Sequence, residues 1–280
     1  MTPTTLLTGL CFGEGPRWHD GRLYFSDMHA HRVLAVGDDA QPETIVEVEH
    51  CPSGLGWTPS GDLLVVSMTD RRLLRYDGKR LSNVADLSAL ASFHCNDMVV
   101  DRLGRAYIGN FGFDLHAQAT FKPAELIRVD PDGNARVVAT DMAFPNGTVI
   151  TPDGRTLIVG ESFAGRLTAF DLAADGALTG RRVWAQLPQG TVPDGICLDA
   201  ADGIWVASPA TRECVRVEQG GRITHRVGLE DQAFACMLGG ADRRILFILT
   251  ASSSEPDACR RNRDGRLQIV TAPYPGAGLP

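Results

Sequence analysis

Apolar runs of four to six residues alternate with turn signals along the whole chain. No segment carries a long 3.6-residue period, so the pattern predicts strands almost throughout and few helices. Aligning the turns exposes a repeat: WHDGRLYFSD (18–27), TPSGDLLVVS (58–67), DRLGRAYIGN (101–110), TPDGRTLIVG (151–160) and DAADGIWVAS (199–208). A degenerate sixth copy is GADRRILFIL (240–249). The turn glycines are Gly21, Gly61, Gly104, Gly154 and Gly203, a period of 40 to 50 residues. After each turn come a second strand and then a third, which ends in a phrase such as RLLRYDG or LIRVDPDG.

That period, with about four short strands per unit, is the signature of a β-propeller. The expected fold is all-β, a six-bladed propeller with four-stranded antiparallel blades, occupying residues 1–280 as one domain. A pair of β-sandwiches would not explain one phrase returning at regular spacing.

Register then identifies a candidate site. Counting back seven to nine residues from each turn glycine reaches Glu14, Ser53, Asn96, Asn146 and Asp194; in the sixth unit the equivalent lies near Ala235–Met237. Propeller symmetry would gather these positions at one end of one axis, each where a buried strand begins. Asn146-Gly147 and Asp194-Gly195 could instead be hairpin turns. A true turn follows each within ten residues, however, so each pair starts a strand. Carboxylates and carboxamides without His or Cys make a hard-oxygen site, suited first to one Ca²⁺, with Mg²⁺, Mn²⁺ or Zn²⁺ as alternatives. A cation would also neutralise carboxylates otherwise desolvated without a partner.

Composition narrows the partners. The formal net charge is −7, with no Lys/Arg cluster, which argues against nucleic acid. The start, MTPTTLLTGLCFGEG, lacks the features of a secretion signal, and no apolar run approaches the ~20 residues that span a bilayer. The seven cysteines are scattered without CxxC spacing, as expected of reduced thiols in a cytoplasmic protein. Oligomeric state is not legible.

The phrases GEGPRW (13–18), ND (96–97), PNG (145–147) and PDGICLD (193–199) resemble the SMP-30/gluconolactonase/luciferin-regenerating-enzyme family, from about residue 8 to 250. The resemblance implies a six-bladed propeller with one central divalent cation, and hydrolysis of a lactone or related ester as the activity. It places metal ligands at Glu14, Asn146 and Asp194, with Asp194 also the general base. It places at Asn96 the asparagine that touches substrate or a metal-bound water. Sugar-lactonase members often carry an arginine two residues before the Asn-Asp pair, where this chain has His94. Imidazole is a poorer partner for several hydroxyls than a guanidinium fork. Phe93, Phe111, Phe113, Phe144, Phe163 and Phe234 all fall near the ligand end of the strands. Together these point to a less hydroxylated substrate, with His94, Asn96, Phe113 and Phe163 as binding residues.

Asp27 and Glu161 are expected either at the mouth or as loop caps. His29 and His31 are expected to alternate along an outer strand, and the 110–129 stretch is a candidate lid carrying Asp114 and His116. The absence of GxSxG argues against a serine hydrolase. The competing reading is a non-enzymatic binding propeller whose central ion only stiffens the ring. A phosphotriesterase-type activity would use the same metal on another substrate.

Overall fold

The computed structural model describes residues 1–37 and 39–280. Among them, six four-stranded antiparallel sheets form the blades of a β-propeller. The inner strands are Gly13–His19, Pro52–Trp57, Cys95–Val100, Pro145–Ile150, Ile196–Leu198 and Gln232–Gly239 for blades 1 to 6. They pack side by side around the axis. Each is followed by one of the repeated turns, so the sequence period is the blade period. Helix is scarce, as expected: among the described residues the one α-helix, Pro256–Asn262, is short and is capped by the Glu255 carboxylate.

Blades 1 to 5 run outward in chain order. In blade 6 the outermost strand is Thr4–Leu10, brought from the chain start to pair with Gly265–Thr271. This joins the two ends of the chain within one sheet and closes the ring. The core lies between blades and is built from repeat positions. The residues four places after the turn glycines are Phe25, Val65, Ile108, Ile158 and Ala207, and all are essentially inaccessible.

Two features shape the end of the axis where the inner strands begin. The first is a β-bulge. Pairing jumps from Glu14 to Arg17 in blade 1, from Pro52 to Leu55 in blade 2, from Cys95 to Met98 in blade 3 and from Pro145 to Thr148 in blade 4. In each the inner strand gains one residue on its partner, and the extra residue re-aims side chains out of the ladder. A similar jump spans Ala233 to Ala235 in blade 6. The second is close packing between inner strands. A Cβ on Gly147 would stand 2.4 Å from Ile196 N, and one on Gly195 would stand 2.7 Å from Ala235 Cα. The glycine of each Asn-Gly and Asp-Gly pair is therefore there to let neighbouring blades touch. No hairpin turns at either pair.

At the far end of the axis, residues 275–279 cross the strand ends. Leu279 bridges Ile150 and Gly276 bridges Asp199, tying the segment to blades 4 and 5.

Candidate active site

Four of the five ring residues meet at one cavity of about 200 Å³ at the starting end of the inner strands: Glu14, Asn96, Asn146 and Asp194. They come from blades 1, 3, 4 and 5. The cavity's floor is polar, and its walls are mainly apolar, with Phe12, Phe111, Phe144, Phe163 and Phe234, interrupted by His29, His116, Gln232 and Ser254.

Hydrogen bonds orient the two carboxamides. Asn96 Nδ2 donates to Pro145 O at 3.3 Å, and Asn146 Nδ2 donates to Ser162 Oγ at 3.3 Å. Ser162 Oγ in turn donates to Pro193 O at 2.7 Å. With both nitrogens engaged by the wall, each side chain keeps its Oδ1 as the free acceptor. The site thus offers oxygen from all four residues.

The carboxylates are in a different electrostatic position. Burial pushes the Glu14 carboxyl well above its ordinary range, and Asp194 and Asp97 push it further. Asp194 is also raised, by burial first and then by Asp97, with Asn146 opposing. The nearest cationic group, Arg17, is committed elsewhere. Its guanidinium pairs with Asp97 at 2.6 Å and donates to Leu55 O at 2.9 Å, as well as to Pro16 O and Met98 O. Among the described residues no side-chain cation pairs with Glu14 or Asp194. Two acids without a counter-charge, beside two free amide oxygens, are what a hard divalent cation requires, and the donor set fits one.

A second ring stands above the floor. The residues directly after the second strands are Met28, Met68, Phe111, Ser162 and Pro209, and all five line the cavity. The last residues of those strands (Asp27, Ser67, Asn110, Glu161 and Ser208) are fully buried and polar. Where their bonds are resolved they hold the loops. Asp27 Oδ1 accepts from Cys11 N and Phe12 N at 2.9 and 3.0 Å, Glu161 Oε2 from Ala143 N at 2.8 Å, and Ser208 Oγ from Val192 N at 3.1 Å. Asp27 and Glu161 are therefore loop caps, and neither lines the mouth.

Four expectations are corrected. Ser53 does not reach the cavity; it is buried in blade 2, and its carbonyl accepts from Ser26 Oγ at 2.7 Å. His94 does not line the cavity: its ring stacks on Phe93 at 4.1 Å and meets Phe111 edge-on at 6.1 Å. Phe113 does not line it either and packs edge-on against Phe144 and Phe163, while Phe163 itself lines the mouth. His29 and His31 do not share a strand face, because both follow the second strand of blade 1, in and just after a 3-10 turn at Met28–Ala30. His29 is buried in the cavity wall against Phe12, and burial lowers its pKa to about 4. His31 ends the turn in a left-handed conformation. Of the 110–129 stretch, Leu115 and His116 reach the cavity, while Asp114 accepts from Ala117 N at 3.0 Å. Ser162 is legible only through the register of the second strands, and His29 falls one place beyond it.

Comparison with known proteins agrees with this architecture. A family model, the SMP-30/Gluconolactonase/LRE-like region, matches residues 12–252. Pentonolactonase XacC of Haloferax volcanii is 28% identical over 265 residues, covering 90% of this chain and 86% of its own. Regucalcin of Danio rerio is 24% identical, covering 85% and 82%. The structure of a calcium-binding regucalcin from Agrobacterium tumefaciens superposes with a TM-score of 0.82 at 19% identity, covering 99% of this chain and 96% of that one.

Proposed function

The chain belongs to the SMP-30/gluconolactonase/LRE-like family, and on that premise we propose that it is a divalent-cation-dependent hydrolase that opens a lactone or related ester carbonyl in this cavity. One observation carries the reading. Two carboxylates lacking a cationic partner and two carboxamide oxygens converge at the floor of a cavity whose walls are mainly phenylalanine and other apolar side chains. The pentonolactonase relative supports a lactone as substrate, and the calcium-binding neighbour supports a divalent cation.

Glu14, Asn146 and Asp194 would hold the cation, Ca²⁺ first by donor chemistry, with Asn96 beside it. When bound, it supplies the charge that compensates the two acids and a Lewis-acidic pole for a developing oxyanion. The chain's own residues do the rest. Asp194 takes the proton of the attacking water on a carboxylate oxygen; the cation it helps to hold would favour its ionised form, so it serves by position and not by unusual basicity. Asn96, held by Pro145 O, positions a donor of the substrate or the water through its Oδ1. Ser162 keeps Asn146 turned, as a positioning residue.

The walls bear on which substrate. Among the described residues no guanidinium lines the cavity, and His94, whose pKa burial lowers, does not line it either. A polyhydroxylated ring entering here would leave hydroxyls facing phenylalanine, which costs binding. The preferred substrate is therefore less hydroxylated than a sugar lactone, and flat or apolar.

The test measures kcat/KM for dihydrocoumarin and glucono-δ-lactone with added Ca²⁺, Mn²⁺ or Zn²⁺ and after exhaustive chelation. Activity should vanish on chelation and return with metal, and the aromatic lactone should lead. Full activity in protein shown by elemental analysis to be metal-free would end the cation reading. A tenfold lead for the sugar lactone, about 1.4 kcal/mol in transition-state binding, would end the substrate reading alone.

A further inference from the structure

A second cavity, of about 280 Å³, lies at the opposite end of the axis. Glu14 and His19 mark the two ends of one inner strand, five residues or about 16 Å apart. The far cavity is lined by the trailing ends of the inner strands of blades 1 to 3, by Arg243 from the blade 6 turn, and by Leu279 and Pro280. It shares no lining residue with the candidate active site.

Its charge balance is the reverse of the active site's. Arg243 is half-buried, and its guanidinium has neither a hydrogen bond nor an ion pair among the described residues. Its Nε is wholly shielded from water without an acceptor. Burial holds its pKa below the ordinary arginine range, the mark of a charge lacking compensation. Arg102, on the same cavity, donates only to Pro152 O at 2.9 Å and pairs with no carboxylate among the described residues. The other acidic and arginine side chains there are already paired. Asp101 is tied to Arg105 at 2.5 Å, and Arg17 to Asp97 at 2.6 Å. A desolvated guanidinium without a partner costs free energy that a bound carboxylate would offset, and the planar fork accepts one bidentately.

The walls add shape. Trp57 stacks on His19 at 4.0 Å, and burial lowers the His19 pKa, so that ring is neutral. Trp18 stacks on Phe247 at 5.7 Å, and Val100 and Leu279 complete an apolar side. Polar capture at one edge and flat apolar faces at another select a molecule that has both.

We propose that this far cavity is a second binding site, separate from the catalytic one, for a small organic carboxylate bearing a flat apolar group. Arg243 is its main anchor, Arg102 assists, and Trp18 and Trp57 form the wall against the ring. The second site stands independently of the chemistry assigned to the first.

The probes are benzoate, its uncharged isostere benzamide, and inorganic phosphate, each alone. Binding is followed by tryptophan fluorescence and by the shift in Tm. Benzoate should saturate the wild-type protein and raise Tm, and benzamide should bind at least about tenfold more weakly, the scale of one charge-assisted pair. Arg243→Gln should lose benzoate by a similar factor while keeping lactonase kcat/KM within about twofold. In buffer without added anion its Tm should equal or exceed that of the wild type, because removing an unpaired buried charge relieves the fold. Asp194→Asn should bind benzoate as the wild type does, which separates this site from the catalytic cavity. Absence of saturable binding, equal binding of benzamide, undiminished binding by Arg243→Gln, or loss of binding in Asp194→Asn would each overturn the proposal. Phosphate binding that depends on Arg243 without benzoate binding would overturn the assigned ligand class. A marked drop in Tm for Arg243→Gln would show that the guanidinium is already compensated, and would overturn its role as anchor.

Discussion

Two pairs of buried acids in this ring have opposite surroundings. Asp27 and Glu161 close the second strands of blades 1 and 4, and every partner they need is supplied by the protein. Asp27 binds two backbone N–H groups and the Arg32 guanidinium at 3.0 Å. Glu161 binds Ala143 N, Thr168 Oγ1, Arg166 and Arg181. Burial raises the Glu161 pKa, but the Arg166, Ala143 and Thr168 bonds outweigh it and leave the carboxyl below its ordinary range. Glu14 and Asp194 have no cationic partner among the described residues: Glu14 accepts only from Gly15 N at 3.2 Å and Asp194 is opposed only by Asn146, and both carboxyls are pushed upward. Four acids in one fold thus divide by what compensates them. The compensated pair holds loops together, and the uncompensated pair is available for a cation and for chemistry.

The sharpest way to break this comparison is Asp194→Asn, which keeps size and one carbonyl oxygen but removes charge and basicity. The variant should remain folded, bind cation more weakly and lose about 10²–10⁴ in kcat, the scale of a positioned acid–base group. Activity restored by saturating metal would reduce Asp194 to a ligand. Activity within threefold of the wild type at ordinary metal concentration would remove it from both roles.

Glu161→Ala should do the reverse. It leaves Arg166 and Arg181, each about one-third exposed, facing a gap, and it orphans the Ala143 N–H. Denaturant unfolding should show a loss of about 3 kcal/mol, with cation affinity unchanged by calorimetry. A stable variant with weakened metal binding would invert the assignment.

Glu14→Gln retains an oxygen and removes a charge. Cation affinity should drop at least the roughly 10–100-fold that even a supporting residue of a metal site commands, with little change in chelated-state stability. Unaltered affinity would exclude Glu14 from the site.

The smallest effect is in pH dependence, and its sign differs between the pairs. A carboxyl raised in the folded state stabilises below the ordinary carboxylate range and loses that contribution as pH rises through its raised pKa. Chelated protein should therefore lose stability on going from mild acid toward neutrality because of Glu14 and Asp194, and this slope should flatten in the Glu14→Gln/Asp194→Asn double variant. Glu161, being lowered, contributes above the ordinary glutamate range and loses that contribution as pH falls through its lowered pKa. Thermal unfolding of chelated protein between about pH 2 and about pH 8 measures both. A double variant with the wild-type slope would show that the floor acids are not desolvated.

What the sequence determined by itself is what depends on near neighbours. Turn chemistry at Gly21, Gly61, Gly104, Gly154 and Gly203, with apolar runs between, specifies strand, turn and period, and so the blade and the number of blades. The same register brought Glu14, Asn96, Asn146 and Asp194 into one set, because a constant offset from a repeated turn is a constant place in a repeated unit. The second-strand register, with Met28, Phe111 and Ser162 at one offset, is legible by the same logic. Only the tertiary structure decided the rest. Ser53 shares the register yet misses the cavity. His94 and Phe113 pack against Phe111, Phe144 and Phe163, and it is those three rings that line the cavity. Asp27 and Glu161 became caps because loops 15 to 18 residues away close on them, beside arginines just across their own turns. Thr4–Leu10 completes blade 6 across nearly the full chain length. The physical reason is one: conformational preference is set by neighbouring residues, whereas the burial, counter-charge and line of sight that give a side chain its task are set by residues that only folding brings near.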